Sequence, residues 1–198
     1  MVRTGWKSRA LGWFTLPVAE GYLGVVAIGT ASEHSPKGET EATAYVGIRD
    51  DATERITCQL CDMKDSGYQQ RTAVSPIGYL MPAQRWRQWN VTSVTAAGVA
   101  EELTDAVNSC AVPFLRELAG DPLQLIEAAR ESAAMMQPPG RCRVAVLLAR
   151  AGRIAEALAF VAESRDKAGD QDAAWAVAER SWTRAFTRWI ADNGGADF

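Results

Sequence analysis

The chain has 198 residues, 47% of them hydrophobic and 23% charged, with a formal net charge of −3. This balance excludes an intrinsically disordered chain and a polycationic nucleic-acid binder, and a chain of this length buries roughly 70% of its unfolded surface without needing a disulfide or a metal. Alanine is unevenly spread, with 25 of its 34 occurrences after Thr95, and the charge divides likewise, +1 over residues 1–94 and −4 over residues 95–198.

Residues 1–10 are basic, but Gly12, Pro17 and Glu20 interrupt the next stretch, so no secretory apolar core forms. No uncharged apolar run reaches the ~20 residues of a membrane span. The four cysteines, Cys58, Cys61, Cys110 and Cys142, are expected to be reduced thiols of a cytoplasmic protein. The first strand is expected over residues 12–18, turning at Ala19-Glu20-Gly21, and a second, apolar on both faces, over residues 22–30. A Pro/Gly-punctuated loop containing His34 comes next. Residues 41–49 alternate cleanly: Ala42, Ala44, Val46 and Ile48 point one way, and Glu41, Thr43, Tyr45 and Arg49 point to a wet face. Asp50-Asp51-Ala52-Thr53-Glu54 is suited to capping a short helix, and residues 63–70 read as a polar loop. Two more strands are expected over residues 74–81 and 85–92, parted at Pro82. With no room for crossover helices, the strands form an antiparallel meander.

From Thr95 the period becomes helical. Val99, Leu103, Val107, Cys110, Phe114 and Leu118 form a stripe, with a kink or restart expected at Pro113. Gly120-Asp121-Pro122 stops one helix and starts the next, which ends near Pro138-Pro139-Gly140. Residues 143–151 and 153–163 form a helical hairpin around Gly152, similar to one tetratricopeptide unit, and a last helix covers about residues 172–191. The expected fold is α+β: an antiparallel sheet of about five strands (residues 11–92) covered by C-terminal helices (residues 95–192), in one domain over residues 1–198.

Chemistry-bearing residues are sparse. Cys58-Gln59-Leu60-Cys61 has the spacing of a redox or metal pair, but it lacks a second pair or histidines for zinc and lacks the strand–helix setting of a redox site, so structural thiols are the leading reading. His34 is the only histidine, so any Ser-His-Asp or Cys-His triad depends on it. Neither a dinucleotide fingerprint nor a P-loop occurs. Glu101/Asp105 and Glu127/Glu131 are i,i+4 couples on solvated helix faces. No metal and no cofactor are expected, and this poverty weighs against an enzyme. Two tryptophan groups stand out. Trp175, Trp182 and Trp189 recur every seven residues along one face of the last helix, either as a core face or as a dimer interface. Arg85, Trp86, Arg87 and Trp89 form a binding candidate: on a strand, whichever face is wet carries a tryptophan with polar or arginine neighbours, suited to an acidic partner, a sugar or a stacked ring.

Gly5-Trp6-Lys7-Ser8-Arg9, Trp13-Phe14-Thr15, Ala44-Tyr45-Val46-Gly47-Ile48-Arg49, the segment from Trp86 to Trp89, Val112-Pro113-Phe114-Leu115 and Leu147-Leu148-Ala149-Arg150-Ala151-Gly152-Arg153 occur in an order that resembles bacterial domain-of-unknown-function family 4304 over residues 5–165. The resemblance implies an α+β fold with an antiparallel sheet and C-terminal helices, and no established activity; such domains sometimes resemble immunity proteins that plug a toxin's active site. Members carry a helix before the Gly-aromatic-Lys segment, which here is expected to be truncated or replaced by the last Trp-bearing helix. The expected function is a non-catalytic, immunity-like or adaptor protein acting through its aromatic surface on a protein partner. The alternatives are a small enzyme or small-molecule binder with a Trp-lined pocket between sheet and helices, and a homodimerisation module on the Trp175/Trp182/Trp189 face.

Overall fold

The computed structural model describes residues 5–32, 35–133 and 139–193; His34 and Pro138 lie outside them. The fold is α+β with an antiparallel sheet. The chain divides into two compact units interleaved in sequence, Met1–Arg49 with Val74–Gly120, and Asp50–Ala73 with Asp121–Phe198. The compositional switch at Thr95 therefore does not mark the division.

The first unit holds the sheet: β1 (Lys7–Ala10), β2 (Trp13–Ala19), β3 (Tyr22–Ala31), β4 (Thr40–Asp50), β5 (Ala73–Pro76) and β6 (Trp89–Val91). The strands run in the order β1-β2-β3-β4-β5, and β6 also pairs β4. β1/β2, β2/β3 and β4/β6 are antiparallel, with Phe14 opposite Val26 and Ala42 opposite Trp89. Alternation in β4 is as its sequence predicts: Ala42, Ala44, Val46 and Ile48 are buried. Arg49 departs from it, being buried on the face expected to be wet. The strand β1 is fully exposed, and so offers no apolar alternation from which to predict it. Gly12 joins it to β2 at φ +74°, where a Cβ would meet the Ile28 carbonyl oxygen at 2.5 Å.

The strand expected over residues 74–81 stops at Pro76, which has no N–H for the ladder, and Ile77–Leu80 turns into the short helix α2. The strand expected over 85–92 is confined to Trp89–Val91, and residues 85–88 are irregular. Two longer helices, α3 (Ala96–Ala106) and α4 (Val112–Gly120), flank a π-helical turn at Val107–Ala111. That widened turn is the restart expected at Pro113, whose ring and missing N–H disturb the preceding α-helical ladder. Helix α4 lies against β2 and β3. Gly24 in β3 admits it, since a Cβ there would come within 2.8 Å of Leu115.

The second unit comprises α1 (Asp51–Leu60), a 3₁₀ turn at Gly67–Gln69, α5 (Pro122–Ala133), α6 (Gly140–Arg150), α7 (Ile154–Ala168) and α8 (Ala174–Asn193). Asp121 caps α5 by accepting from the Leu123 and Gln124 amides, with Pro122 in the first turn, as the sequence predicts. Helix α6 is central: residues 142–149 are all buried, and it packs against α1, α5, α7 and α8. Gly140 lets α5 and α6 approach, for a Cβ there would lie 2.7 Å from the Ala133 carbonyl oxygen. Gly152 at φ +73° closes the α6–α7 hairpin. No described helix is long and apolar enough to cross a membrane.

Candidate functional site

The second unit is pinned by charges drawn from α1 and α6. Asp50 caps α1, accepting from the Ala52 and Thr53 amides. One turn on, the Glu54 carboxylate is fully buried and receives both Nε and Nη2 of Arg143, at 2.8 and 3.0 Å. Thr72 donates to the same carboxylate at 2.9 Å and accepts from the Asp50 amide. Two turns along α6, Arg150 pairs with Asp50 and donates to Thr53 Oγ1 at 2.7 Å. A bidentate guanidinium–carboxylate pair has the geometry to offset desolvation, and here the threonine supplies a further hydrogen bond.

Beyond Glu54, the end of α1 carries two thiols with different surroundings. Cys58 is buried and donates to Gln70 Oε1 at 3.3 Å; Gln70 in turn accepts from the Ser66 amide and donates to the Lys64 carbonyl, tying the polar loop to the helix. Burial pushes the Cys58 thiol up. Cys61, at the C-cap of α1, is partly exposed, and Cys142 lies in the first turn of α6. Interaction with the Cys142 thiol, aided by the Arg143 charge, holds the Cys61 thiol below the ordinary thiol range. The Glu54 and Glu179 charges and burial oppose that shift without reversing it. Cys142 is fully buried, which pushes its own thiol well up. The two cysteines of the Cys58–Cys61 motif thus serve different partners. The relevant neighbour of Cys61 is remote in sequence, and no spacing signal reveals it. With iodoacetamide, Cys61 is expected to be carbamidomethylated faster than Cys58, and to keep reacting at pH values where a free cysteine is protonated, while Cys142 stays unmodified. Peptide mass spectrometry over time checks the order; Cys58 reacting first would contradict it.

Cys61 opens onto a groove of about 560 Å³ lined by Cys61, Met63, Pro139, Ala174, Val177, Ala178, Ser181 and Trp182. The lining is mostly apolar. Alanines at 174 and 178 leave the space, because they stand on the same side of α8 as Trp182 at four-residue spacing. The Trp182 indole is 2% exposed, and its Nε1–H is already spent on Glu179 Oε2 at 2.9 Å. Glu179 is held by Arg141 at 3.2 Å, and Arg141 donates to Ser164 Oγ at 2.7 Å and lies 4.6 Å from the Phe160 ring centroid. Behind the wall Trp182 Nε1 and Glu179 Oε2 are paired with each other, while Glu179 Oε1 and Arg141 Nη2 are buried without a hydrogen bond; the lining itself offers the Cys61 thiol and the Ser181 hydroxyl as polar side-chain points. A second concavity of about 390 Å³, by Thr183 and Thr187, is ringed by Arg165, Arg184 and Arg188 and is more polar.

Trp86 is 46% exposed, meets Tyr45 edge-on at 6.2 Å between centroids, and its Nε1 donates to Gln88. Arg85 is exposed beside it, and Gly78 holds this segment against α2 because a Cβ there would lie 2.7 Å from the Arg87 amide nitrogen. Arg87 pairs with Glu102 at 2.7 Å and stacks over Trp89, 5.5 Å from its centroid. Trp89 is interior and presents no binding surface. Of the heptad-spaced tryptophans, Trp175 is exposed, Trp189 is half-buried against Phe186, and Trp182 is interior and taken by Glu179. Identical spacing places them on one face but does not decide what covers each. Among the described residues, no three His, Cys, Asp or Glu side chains are placed together to hold a metal ion. No protein-family model, curated protein or solved structure matches the chain.

Proposed function

We propose that the second unit binds a small apolar molecule in the groove between the end of α1, the start of α6 and α8. The carrying observation is the groove itself: about 560 Å³, within the range of small-molecule sites, with an apolar lining and a tryptophan wall whose one polar atom is already paired. This is the small-molecule reading of the tryptophan-lined pocket, with the walls supplied by helices and the Cys61–Met63 turn. An occupant with a flat or branched hydrocarbon body and one weak polar group suits a lining in which Trp182, Val177 and Met63 are apolar and the Cys61 thiol and Ser181 hydroxyl are polar. The reading extends to a reducing, cytoplasmic compartment, supported by four unlinked cysteines.

Titration with N-phenyl-1-naphthylamine, an uncharged fluorescent probe, tests this. Saturable binding to one site per chain is expected. Val177→Asp is expected to weaken it by at least about tenfold, because a carboxylate on the rim must be desolvated by the probe. Val177 is 48% exposed, so the substitution spares the core. No saturable binding, or equal binding to both proteins, would contradict the reading.

A second reading rests on the first unit. Exposed Trp86 beside Arg85 offers an aromatic and a cationic anchor to an acidic protein partner, in keeping with the immunity-like role that the family resemblance implies.

A further inference from the structure

Positive charge gathers along the furrow between α7 and α8. Arg184 and Arg188 stand one turn apart on α8, and Arg165 comes across from α7, so three guanidiniums line one concavity of about 390 Å³. Other arginines of the same unit meet carboxylates: Arg143 with Glu54, Arg150 with Asp50, Arg141 with Glu179, and Arg130 and Arg153 with Glu156. The furrow is different. Arg184 gives its Nε to the Arg180 carbonyl at 3.1 Å. The Arg165 Nε is 3.9 Å from Asp166, beyond hydrogen-bond distance, and both side chains stand in solvent, so that pair neutralises little. Among the described residues Arg188 has neither an ion pair nor a hydrogen bond, although Asp192 follows it by one turn. Like charges one turn apart on a helix are destabilising, so the arrangement costs stability until an anion answers it.

We propose that this furrow is a binding site for a small diphosphate. It is separate from the apolar groove and does not rest on that reading. The charge sets the class of ligand. A phosphate monoester carries about −1.5 to −2 at pH 7, which leaves one of the guanidiniums unanswered, and a second phosphate group supplies the remainder. Acceptor shape points the same way. A carboxylate offers two oxygens in one plane, whereas a phosphate group offers three that point apart, and guanidiniums arriving from two helices need acceptors in more than one direction. The donors must come from the arginines. Thr183 and Thr187 also line the furrow, but their hydroxyls already donate to the Arg180 and Thr183 carbonyls. The Nη groups of Arg184 and Arg188 are not engaged in this way among the described residues, and a guanidinium fork matches two phosphate oxygens at once.

Isothermal titration calorimetry of the full chain with inorganic pyrophosphate, at low ionic strength and without magnesium, tests this. One saturable site per chain is expected. Orthophosphate and citrate are each expected to bind at least about tenfold more weakly. Arg184→Gln combined with Arg188→Gln is expected to weaken pyrophosphate binding by at least about tenfold, because two charged donors are lost. Arg55→Gln, which removes an exposed charge from α1, is expected to bind as wild type does. The double substitution falls at exposed positions and is expected to keep the wild-type circular dichroism spectrum; if it does not, the wild-type titrations still decide. No saturable binding of pyrophosphate, equal binding of orthophosphate or citrate, or a loss with Arg55→Gln as large as with the double variant would overturn the proposal. A short oligoribonucleotide bound more tightly than pyrophosphate would overturn it too, since the arginines would then follow a nucleic-acid backbone.

Discussion

Replacing Arg143 with methionine is expected to destabilise the second unit by about 3–5 kcal/mol, because it leaves a carboxylate buried without its counter-charge. Glu54 has no exposure to water and receives two of its three hydrogen bonds from that guanidinium. Thr72 alone cannot replace them. The paired replacement Glu54→Leu with Arg143→Met removes both charges and is expected to recover most of the loss, leaving a deficit of about 1 kcal/mol for the Thr72 hydroxyl that has lost its acceptor. Urea unfolding of the three proteins measures the difference. A single variant within about 1 kcal/mol of wild type would mean that the pair is not holding α1 to α6.

Trp182→Ala is expected to cost about 3–5 kcal/mol, whereas Trp86→Ala is expected to cost less than about 1 kcal/mol. Both are tryptophans in aromatic clusters of the sequence, but their surroundings differ. Trp182 is 2% exposed, fills the wall of the groove and satisfies Glu179, so its loss opens a cavity and unpairs a buried carboxylate oxygen. Trp86 gives up an edge contact with Tyr45 and a hydrogen bond at the surface. Denaturant midpoints separate the two. Probe binding separates them again: Trp182→Phe is expected to keep binding N-phenyl-1-naphthylamine, and Trp86→Ala to bind it as wild type does.

The contrast marks what local sequence pattern can and cannot reveal. Period-two alternation located β4 to within a residue, since one face of that strand is buried and the pattern must match it. Asp121-Pro122 and Gly152 were legible because each requirement, a side-chain cap or a left-handed turn, is local. The strand expected over residues 74–81 was lost to Pro76 and Gly78, whose use depends on Arg85–Arg87 packing over α2, a non-local fact. The seven-residue tryptophan spacing fixed a common face on α8 but not its burial, which depends on the helices that cover Trp182 and leave Trp175 exposed. The site was least legible of all. Cys142 and Arg143 looked like parts of an ordinary apolar helix, and only the packing of α6 on α1 brings them to Cys61 and Glu54.

If an apolar molecule sits in the groove, it covers the Cys61 sulfur, and the rate of Cys61 alkylation reports its presence at that atom. The decisive measurement is iodoacetamide labelling of Cys61 with and without saturating cumyl alcohol, with the half-exposed Cys110 of the first unit as internal reference. Labelling of Cys61 is expected to slow by at least about tenfold while Cys110 reacts at an unchanged rate. A Cys61 rate unaffected by cumyl alcohol at concentrations that displace the fluorescent probe would place the bound molecule elsewhere and contradict the account.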